Sequence, residues 1–417
     1  MSVVEDITSS LRDKRINILQ KLEVVDASIA KDILHDCDIV FCTLTSASSQ
    51  GPLKYVNKNH FDVCIIDECS QAIEAACWIP LHMVKKCILA GDHNQLPPII
   101  LSKKAAKAGL KVTMMERLLK LHGDCIKIML TTQYRMNQVI MQFPSKYLYE
   151  NRLVAHDSVR SWLLKDLKGV KCNRNTTAPL LLIDTTGYDM HELRLEGNAS
   201  RCNEGEADLV YLHVNGLVES GMSPADIGVI TPYKLQAGLI KSRLGMKYPS
   251  LEINCVDGFQ GREKEAIVLS LVRSNTRGEV GFLAENQRIN VAITRAKRHL
   301  AIVCDRSTIS CNRFLNTFID YCIKNGEVRA AFQCEGDIDV GQNIKQNILF
   351  TETESMLQKI NFHTKEANRY ADAKHFPFGV VKNFEIHSTP TFSTLRHAIY
   401  EVQFVRFGDF LEQALYQ

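Results

Sequence analysis

The sequence of 417 residues has no long apolar run, no signal-like N-terminus and no Cys-x-x-Cys pair. Its longest apolar runs, such as residues 266–272, have the length of strands and fall far short of the ~18 residues that a membrane-spanning helix needs. The first ten residues lack the basic-then-apolar order of a secretory signal. The cysteine spacing typical of a structural zinc site is missing too. These absences predict an intracellular protein, cytoplasmic or nuclear, with no membrane partner and no structural metal.

Neither positive nor negative charge is in large excess. Lys and Arg total 50 against 47 Asp and Glu, and this near balance allows a nucleic-acid partner without demanding one. Hydrophobic residues make up 45% and charged residues 23% of the chain, as is typical of a globular protein with a large core. The 14 cysteines are expected to be reduced. Cys64, Cys87 and Cys304 lie in apolar runs and are predicted to be core residues.

Short β-branched runs alternate with helical patterns between residues 37 and 334, which predicts an α/β fold with parallel sheets. The functional loops of such sheets follow the carboxyl ends of the strands. We expect a helical, stalk-like segment at 1–36, a first α/β unit at 37–127, a second at 128–334, and a tail at 335–417 for which no structure is predicted. The predicted strands are 38–42, 61–66, 87–90, 126–130, 181–185, 227–230, 266–272 and 300–305, and the predicted helices are 105–121, 206–220 and 287–298.

Two acidic residues, Asp67 and Glu68, directly follow an apolar strand. At a strand end one carboxylate can bind Mg²⁺ together with phosphate oxygens, and the next can orient or deprotonate an attacking water. Acidic pairs at strand ends are also common surface features. On this pair alone, both interpretations stay open.

The segment GDHNQLPP at residues 91–98 is more specific. Gly91 allows a tight turn after a strand, Asp92 can cap that turn, and Gln95 can hydrogen-bond to a γ-phosphate. The two prolines stiffen the exit from the turn. A plain polar turn explains every residue here, but it does not explain the position of the segment after the acidic pair.

Two arginines, Arg135 in QYRM and Arg295 in NVAITRAKRH, follow in polar segments. Triphosphate hydrolysis spreads negative charge over the phosphoryl oxygens, and arginines from a second domain stabilise that charge. In VDGFQGREKE, Glu263 can accept a hydrogen bond from a ribose hydroxyl, and in TPYKLQ, Tyr233 can stack on a base. Taken alone, the last two segments favour a glycine-rich hairpin and a helix N-cap.

In this order, the segments resemble the superfamily 1 helicases of the up-frameshift branch. The resemblance covers residues 42–331 and includes the connecting segments CWIPL, KCILAGDH, VRSN, GEVGFLAE and RINVAITRAKRH. It implies two RecA-like parallel-sheet domains of the P-loop NTPase type that bind ATP between them. It also implies 5′ to 3′ unwinding of RNA or DNA, with ribonucleoprotein or ribosome-associated complexes as partners.

Carried over residue by residue, the resemblance implies two sets of contacts. The residues implied to bind or hydrolyse ATP with Mg²⁺ are Asp67 (Mg²⁺), Glu68 (water activation), Gln95 (γ-phosphate), Tyr134 (adenine), Arg135 and Arg295 (arginine fingers) and Glu263 (nucleotide). The residues implied to face single-stranded RNA or DNA are Thr43, Thr45, Ser46, Thr231, Pro232, Tyr233, Val256, Asp257 and Gly258.

One element of that family is missing. The P-loop pattern G-x-x-x-x-G-K-[ST] binds phosphate, and none of the 22 glycines here is followed by lysine. The chain is therefore interpreted as N-terminally truncated, with a first RecA-like domain that lacks its P-loop strand. Loss of the P-loop lysine is expected to slow hydrolysis by about 10³–10⁵. Two alternatives stay open: a non-catalytic short form that binds single strands or competes with the full helicase, and a fragment from an incomplete gene model.

Overall fold

The computed structural model describes residues 2–48, 51–194 and 200–335. It begins with one long helix, α1 (Ser2–His35), where the sequence predicts a helical segment. Within these ranges no helix is both long and apolar enough to cross a membrane. The prediction for the tail falls on residues 336–417, which lie outside the described residues.

The first sheet contains two parallel strands, β1 (Val63–Ile66) and β2 (Lys86–Leu89), where the sequence predicts strands. Their β-branched and apolar residues favour extended chain. Cys69 and Cys77 are fully buried in a small core beside the pair. The helices in this part of the chain are α2 (Glu74–Leu81), α3 (Lys103–Ala105) and α4 (Met114–His122).

Two predicted strands and one predicted core cysteine are wrong. Residues 38–42 and 126–130 are apolar, but neither has a neighbouring strand among the described residues with which to share backbone hydrogen bonds. The second of them starts at the end of a 3₁₀ turn, Gly123–Ile126. Cys87 is exposed, because nothing in the described part of the chain covers its side of β2, whereas Cys304 is buried as predicted.

Two predicted helices have different bounds in the structure. The predicted helix 105–121 is interrupted at Gly109, which has a φ of 105°. A capping box between Thr113 and Glu116 then begins α4 as a new helix. The predicted helix 287–298 ends at Ile293, because the residues from Ala296 onward pair with a neighbouring strand.

The remaining elements follow in order along the chain. Between the two sheets lie a short parallel pair, β3 (Thr132–Gln133) with β4 (Val154–Ala155), and the helices α5 (Gln138–Leu148), α6 (Asp157–Arg160) and α7 (Arg174–Thr177). The later strands are β5 (Leu180–Asp184), β6 (Leu193–Arg194), β7 (Arg201–Cys202), β8 (Ile227–Thr231), β9 (Glu252–Cys255), β10 (Lys264–Ser270), β11 (Ala296–Cys304) and β12 (Glu327–Ala330). The later helices are α8 (Glu204–Glu219), α9 (Lys234–Leu244), α10 (Asn286–Ile293), α11 (Arg306–Ile309), α12 (Arg313–Asn325) and α13 (Ala331–Glu335).

The second sheet has six parallel strands in the order β12-β5-β11-β10-β8-β9. Its central strands β5, β8, β10 and β11 are buried along almost their whole length. Near-continuous apolar runs are typical of parallel strands that are covered on both faces. The prediction of an α/β fold with parallel sheets is confirmed, and the four runs predicted from residue 181 onward form these central strands.

Candidate functional site

The loops after β1 and β2 pack together at the carboxyl edge of the first sheet. Asp67 and Glu68 are exposed there, and Glu68 has a left-handed φ of 52°. Its backbone N–H donates to Asp67 Oδ1 at 2.8 Å. Gly91 has no room for a side chain, because a Cβ would lie 3.0 Å from both Cys69 Sγ and Ser70 N. Glycine therefore allows the loop after β2 to approach the acidic pair.

Residues 93–95 of this loop lie along helix α10 and the turn that follows it. Two amide side chains of α10 donate to two successive backbone carbonyls of the loop, and an arginine just beyond the helix contacts the third residue. The contacts are Gln287 Nε2 to His93 O (2.7 Å), Asn290 Nδ2 to Asn94 O (2.9 Å) and Arg295 Nη2 to Gln95 Oε1 (3.4 Å).

Arg295 is almost fully buried, with 3% of its surface exposed. Its guanidinium donates to the carbonyls of Val291 (3.0 Å) and Arg262 (3.3 Å), which fix its orientation. Burial and the nearby positive charge of Arg135 lower the pKa of Arg295 to about 10, and the negative charge of Glu68 opposes this shift. Arg295 therefore remains a cation at neutral pH.

Arg135 and Glu263, both predicted to bind nucleotide, form an ion pair with each other. Arg135 also donates through Nη1 to Thr294 O at 3.1 Å, and Lys297 lies 3.4 Å from the other Glu263 carboxylate oxygen. Burial alone would raise the pKa of Glu263, but Arg135 and Lys297 lower it below its ordinary value. The carboxylate is therefore held ionised between two cations.

Glu263 and Arg295, both predicted to contact nucleotide, lie at the amino ends of strands in the second sheet. Glu263 directly precedes β10 and Arg295 directly precedes β11. From the sequence, functional loops are expected after the carboxyl ends of the strands. Asp67, Glu68 and Gln95 do follow β1 and β2, whereas Glu263 and Arg295 precede their strands. At this amino edge, Arg295 meets the loop that follows β2 through its contact with Gln95. Tyr134 is 47% exposed, with its ring 4.5 Å from that of His156.

Tyr149, which the sequence analysis did not single out, joins the two parts of this site. Its hydroxyl donates to Asp92 Oδ2 and accepts from Asn290 Nδ2 at 2.7 Å. The same Asp92 oxygen accepts from Gln95 Nε2 at 2.9 Å. Burial and the Asp92 carboxylate raise the pKa of Tyr149, so the hydroxyl stays a donor. No motif reveals this tyrosine, because its partners are far away in the sequence.

The segments 231–233 and 256–258, both predicted to face a nucleic-acid strand, follow the neighbouring strands β8 and β9. Their exposure differs from residue to residue. Thr231, Tyr233 and Val256 are buried, Pro232 is half-buried, and Asp257 and Gly258 are exposed. The buried side chains are in the core. Only the exposed and half-buried residues present a surface to a nucleic-acid strand.

The third segment predicted to face a nucleic-acid strand, residues 43–46, lies beside the first sheet. Thr43 and Thr45 are exposed in a turn, where Ser46 N donates to Thr43 Oγ1 at 3.1 Å. Leu44 packs against the small core around Cys69. The structure thus brings together the segments 231–233 and 256–258, while Thr43, Thr45 and Ser46 lie in a turn beside the first sheet.

Asp67 is suited to a magnesium ion only with ligands from a nucleotide. In the described ranges no group of three or more His, Cys, Asp and Glu side chains could hold a metal by itself. Mg²⁺ usually takes one or two carboxylates and completes its shell with phosphate oxygens and water, so an exposed acid at the end of β1 fits this chemistry.

Comparison with known proteins identifies the family. Two family models, each described as an AAA domain, match residues 5–103 and 110–307. The DNA-binding protein SMUBP-2 of Mesocricetus auratus is 53% identical over 325 residues, which are 78% of this chain and 33% of that protein. The chain belongs to the up-frameshift branch of the superfamily 1 helicases.

Two relatives of lower identity match as well. The DNA polymerase alpha-associated DNA helicase A of Schizosaccharomyces pombe is 42% identical over 73% of this chain and 46% of its own length. The ATP-dependent helicase NAM7 of Saccharomyces cerevisiae is 34% identical over 78% of this chain and 32% of its own length. The chain thus spans between about one third and one half of the length of these helicases.

Proposed function

We propose that this chain is the core of an ATP-dependent helicase, with two RecA-like domains around the first and second sheets. ATP would bind between the loops after β1 and β2 and the amino edge of the second sheet. The observation that carries the proposal is the alignment of residues 93–95 along α10, which sets Gln95 against Arg295. Arginines supplied by one domain to a phosphate held by the other are a recurring arrangement in triphosphate hydrolysis.

Each residue of the proposed site has a chemical role. Asp67 would hold Mg²⁺, and Glu68 would accept a proton from the attacking water. Gln95 would hydrogen-bond to the terminal phosphate, and Arg135 and Arg295 would stabilise the charge that develops on it. The residues implied to complete the nucleotide site are Tyr134 against the adenine and Glu263 on the ribose.

The proposed partner is single-stranded RNA or DNA, moved 5′ to 3′. Its accessible contacts would be Pro232, Asp257 and Gly258 at the carboxyl edge of the second sheet, with Thr43, Thr45 and Ser46 beside the first sheet. Arg288, in the first half of α10, donates to both Asp257 carboxylate oxygens at 2.9 Å. The helix therefore starts at the surface near Asp257, and it ends close to Arg295 at the opposite edge of the sheet. A helix of 8 residues that joins both edges offers a short route for coupling.

A second candidate function is single-strand binding without catalysis. The observation that favours it is the absence of any Gly-Lys step in the 417 residues, so no P-loop lysine is available to bind phosphate. This candidate predicts salt-sensitive binding of single strands that ATP does not change.

Glu68→Gln is expected to lower strand-stimulated ATP hydrolysis by about 10²–10⁴, because an amide cannot accept the proton of the attacking water. Affinity for a single strand in the absence of ATP should stay within twofold of wild type. Radiometric phosphate release by residues 1–417, with and without single-stranded RNA, measures the effect, and Glu150→Gln at an exposed glutamate is the matched control. Equal rates in Glu68→Gln and wild type would exclude Glu68 as the base. A complete lack of hydrolysis by folded wild-type protein would favour the non-catalytic candidate.

A further inference from the structure

The aromatic ring of Phe282 is exposed and lies beside residues that are predicted to face a nucleic-acid strand. It is 47% exposed, although the residue after it, Leu283, is 1% exposed and anchored in the core. On the other side Gly281 has a φ of 57°, and a Cβ there would lie 2.3 Å from Arg273 Nη1 and 2.8 Å from Tyr233 OH. The 3₁₀ turn Gly281–Ala284 is therefore fixed on both sides of the ring, which is held in place and open to solvent.

Two of the three predicted strand-facing segments, 231–233 and 256–258, contribute to the surroundings of Phe282. The buried ring of Tyr233 lies 5.7 Å from it, centroid to centroid. The guanidinium of Arg288 lies 5.9 Å from the ring centroid and is held by Asp257 and, at 2.9 Å, by Glu285. An exposed ring on an anchored turn, bordered by a hydrogen-bonded guanidinium, is a suitable surface for stacking a planar ligand.

We infer that Phe282 is a base-stacking residue, and that the ligand of its ring is a nucleobase of a single strand. The inference rests on the proposed function. It explains why Tyr233 and Val256 are buried although their segments are implied to face the strand. Tyr233 and Val256 are packed beneath the strand-binding surface, and Phe282 supplies the aromatic contact at that surface. Exposed Lys234, at the start of α9, lies next to this surface and supplies positive charge for a phosphate.

Phe282→Leu is expected to weaken binding of a fluorescein-labelled oligo-U or oligo-dT by roughly 5- to 100-fold, because leucine keeps the apolar volume but loses the stacking face. The slope of log Kd against log salt concentration should stay unchanged, since no phosphate contact is lost. Phe332→Leu is the matched control, because Phe332 is also a largely exposed phenylalanine (58%) and lies in α13. Phe282→Trp should keep the affinity, and its tryptophan fluorescence should be quenched when the oligonucleotide binds.

Four outcomes would overturn the inference. Wild-type affinity in Phe282→Leu, or unquenched fluorescence in a Phe282→Trp variant that binds, would show that the ring does not touch a base, and the proposed strand binding would still stand. A lower salt slope in Phe282→Leu would mean that the substitution disturbs phosphate contacts instead. No binding by wild-type protein at low salt would overturn the proposed strand binding as well, so the two failures are distinguishable.

Discussion

Replacing Arg295 with alanine is expected to lower strand-stimulated ATP hydrolysis by about 10³–10⁵, the effect of losing an arginine finger. Arg295 is positioned by backbone carbonyls, is nearly inaccessible to water, and contacts Gln95. A pKa of about 10 keeps it charged at neutral pH, so it can stabilise negative charge in a site of low dielectric constant. Arg295→Lys should recover little, because lysine keeps the charge but not the planar fork.

The matched control for this experiment is Arg298→Ala. Arg298 is another partly buried arginine of the same strand region, but it pairs with Glu265 at 2.7 Å and stacks over Trp162 at 4.0 Å, away from Gln95. Both variants lose a buried cation, so a difference in hydrolysis between them reports the position of Arg295 and not a general loss of stability. Equal rates for the two variants, with equal thermal unfolding, would contradict the role proposed for Arg295.

Glu206→Gln is expected to stabilise the protein increasingly as the pH rises. Glu206 is fully buried, accepts from Ser270 Oγ (2.7 Å) and Val272 N (2.8 Å), and holds Val272 in a left-handed φ of 72°. Burial raises the pKa of Glu206 to about 8. Unfolding lets the carboxyl ionise near pH 4.5, so its contribution to stability is complete below that pH and is lost as the pH rises toward 8.

Over that interval the wild-type protein should lose about 4–5 kcal/mol relative to Glu206→Gln, at ~1.4 kcal/mol per pH unit. Urea unfolding of both proteins at pH 5, 6, 7 and 8 measures the difference in the free energy of unfolding. Glu219→Gln, at an exposed glutamate of the same helix α8, is the control and should show no trend. A constant difference between Glu206→Gln and wild type across this range would show that Glu206 is already ionised in the folded protein.

Features that depend on neighbouring residues could be predicted from the sequence. The apolar runs before Asp67 and before Gly91 predict strands, and parallel strands place the residues after them at one edge. The segments 231–233 and 256–258 come together for the same reason, because β8 and β9 are neighbours. These local patterns also sufficed for the family resemblance, which the comparisons confirmed.

Features that depend on distant partners could not be predicted. Apolar runs at 38–42 and 126–130 have the composition of strands, but a strand also needs a neighbour, which no local pattern supplies. Tyr149 lies in none of the quoted motifs, and Phe282 lies in GEVGFLAE without a predicted role. The roles proposed for them follow from Asn290, Asp92 and Tyr233, which are far away in the sequence. The contact between Arg295 and Gln95 also depends on distant partners, because the two residues belong to different sheets.

If nucleotide binding and single-strand binding are coupled across α10, ATP and Mg²⁺ should change the affinity for a labelled single strand. We expect at least a fivefold change in Kd for residues 1–417, the low end of typical coupling between two sites. The change should be lost in Arg295→Ala and kept in Arg298→Ala. The same Kd in the presence and absence of ATP, from a folded protein that binds the strand, would contradict the coupling and favour the non-catalytic binding protein.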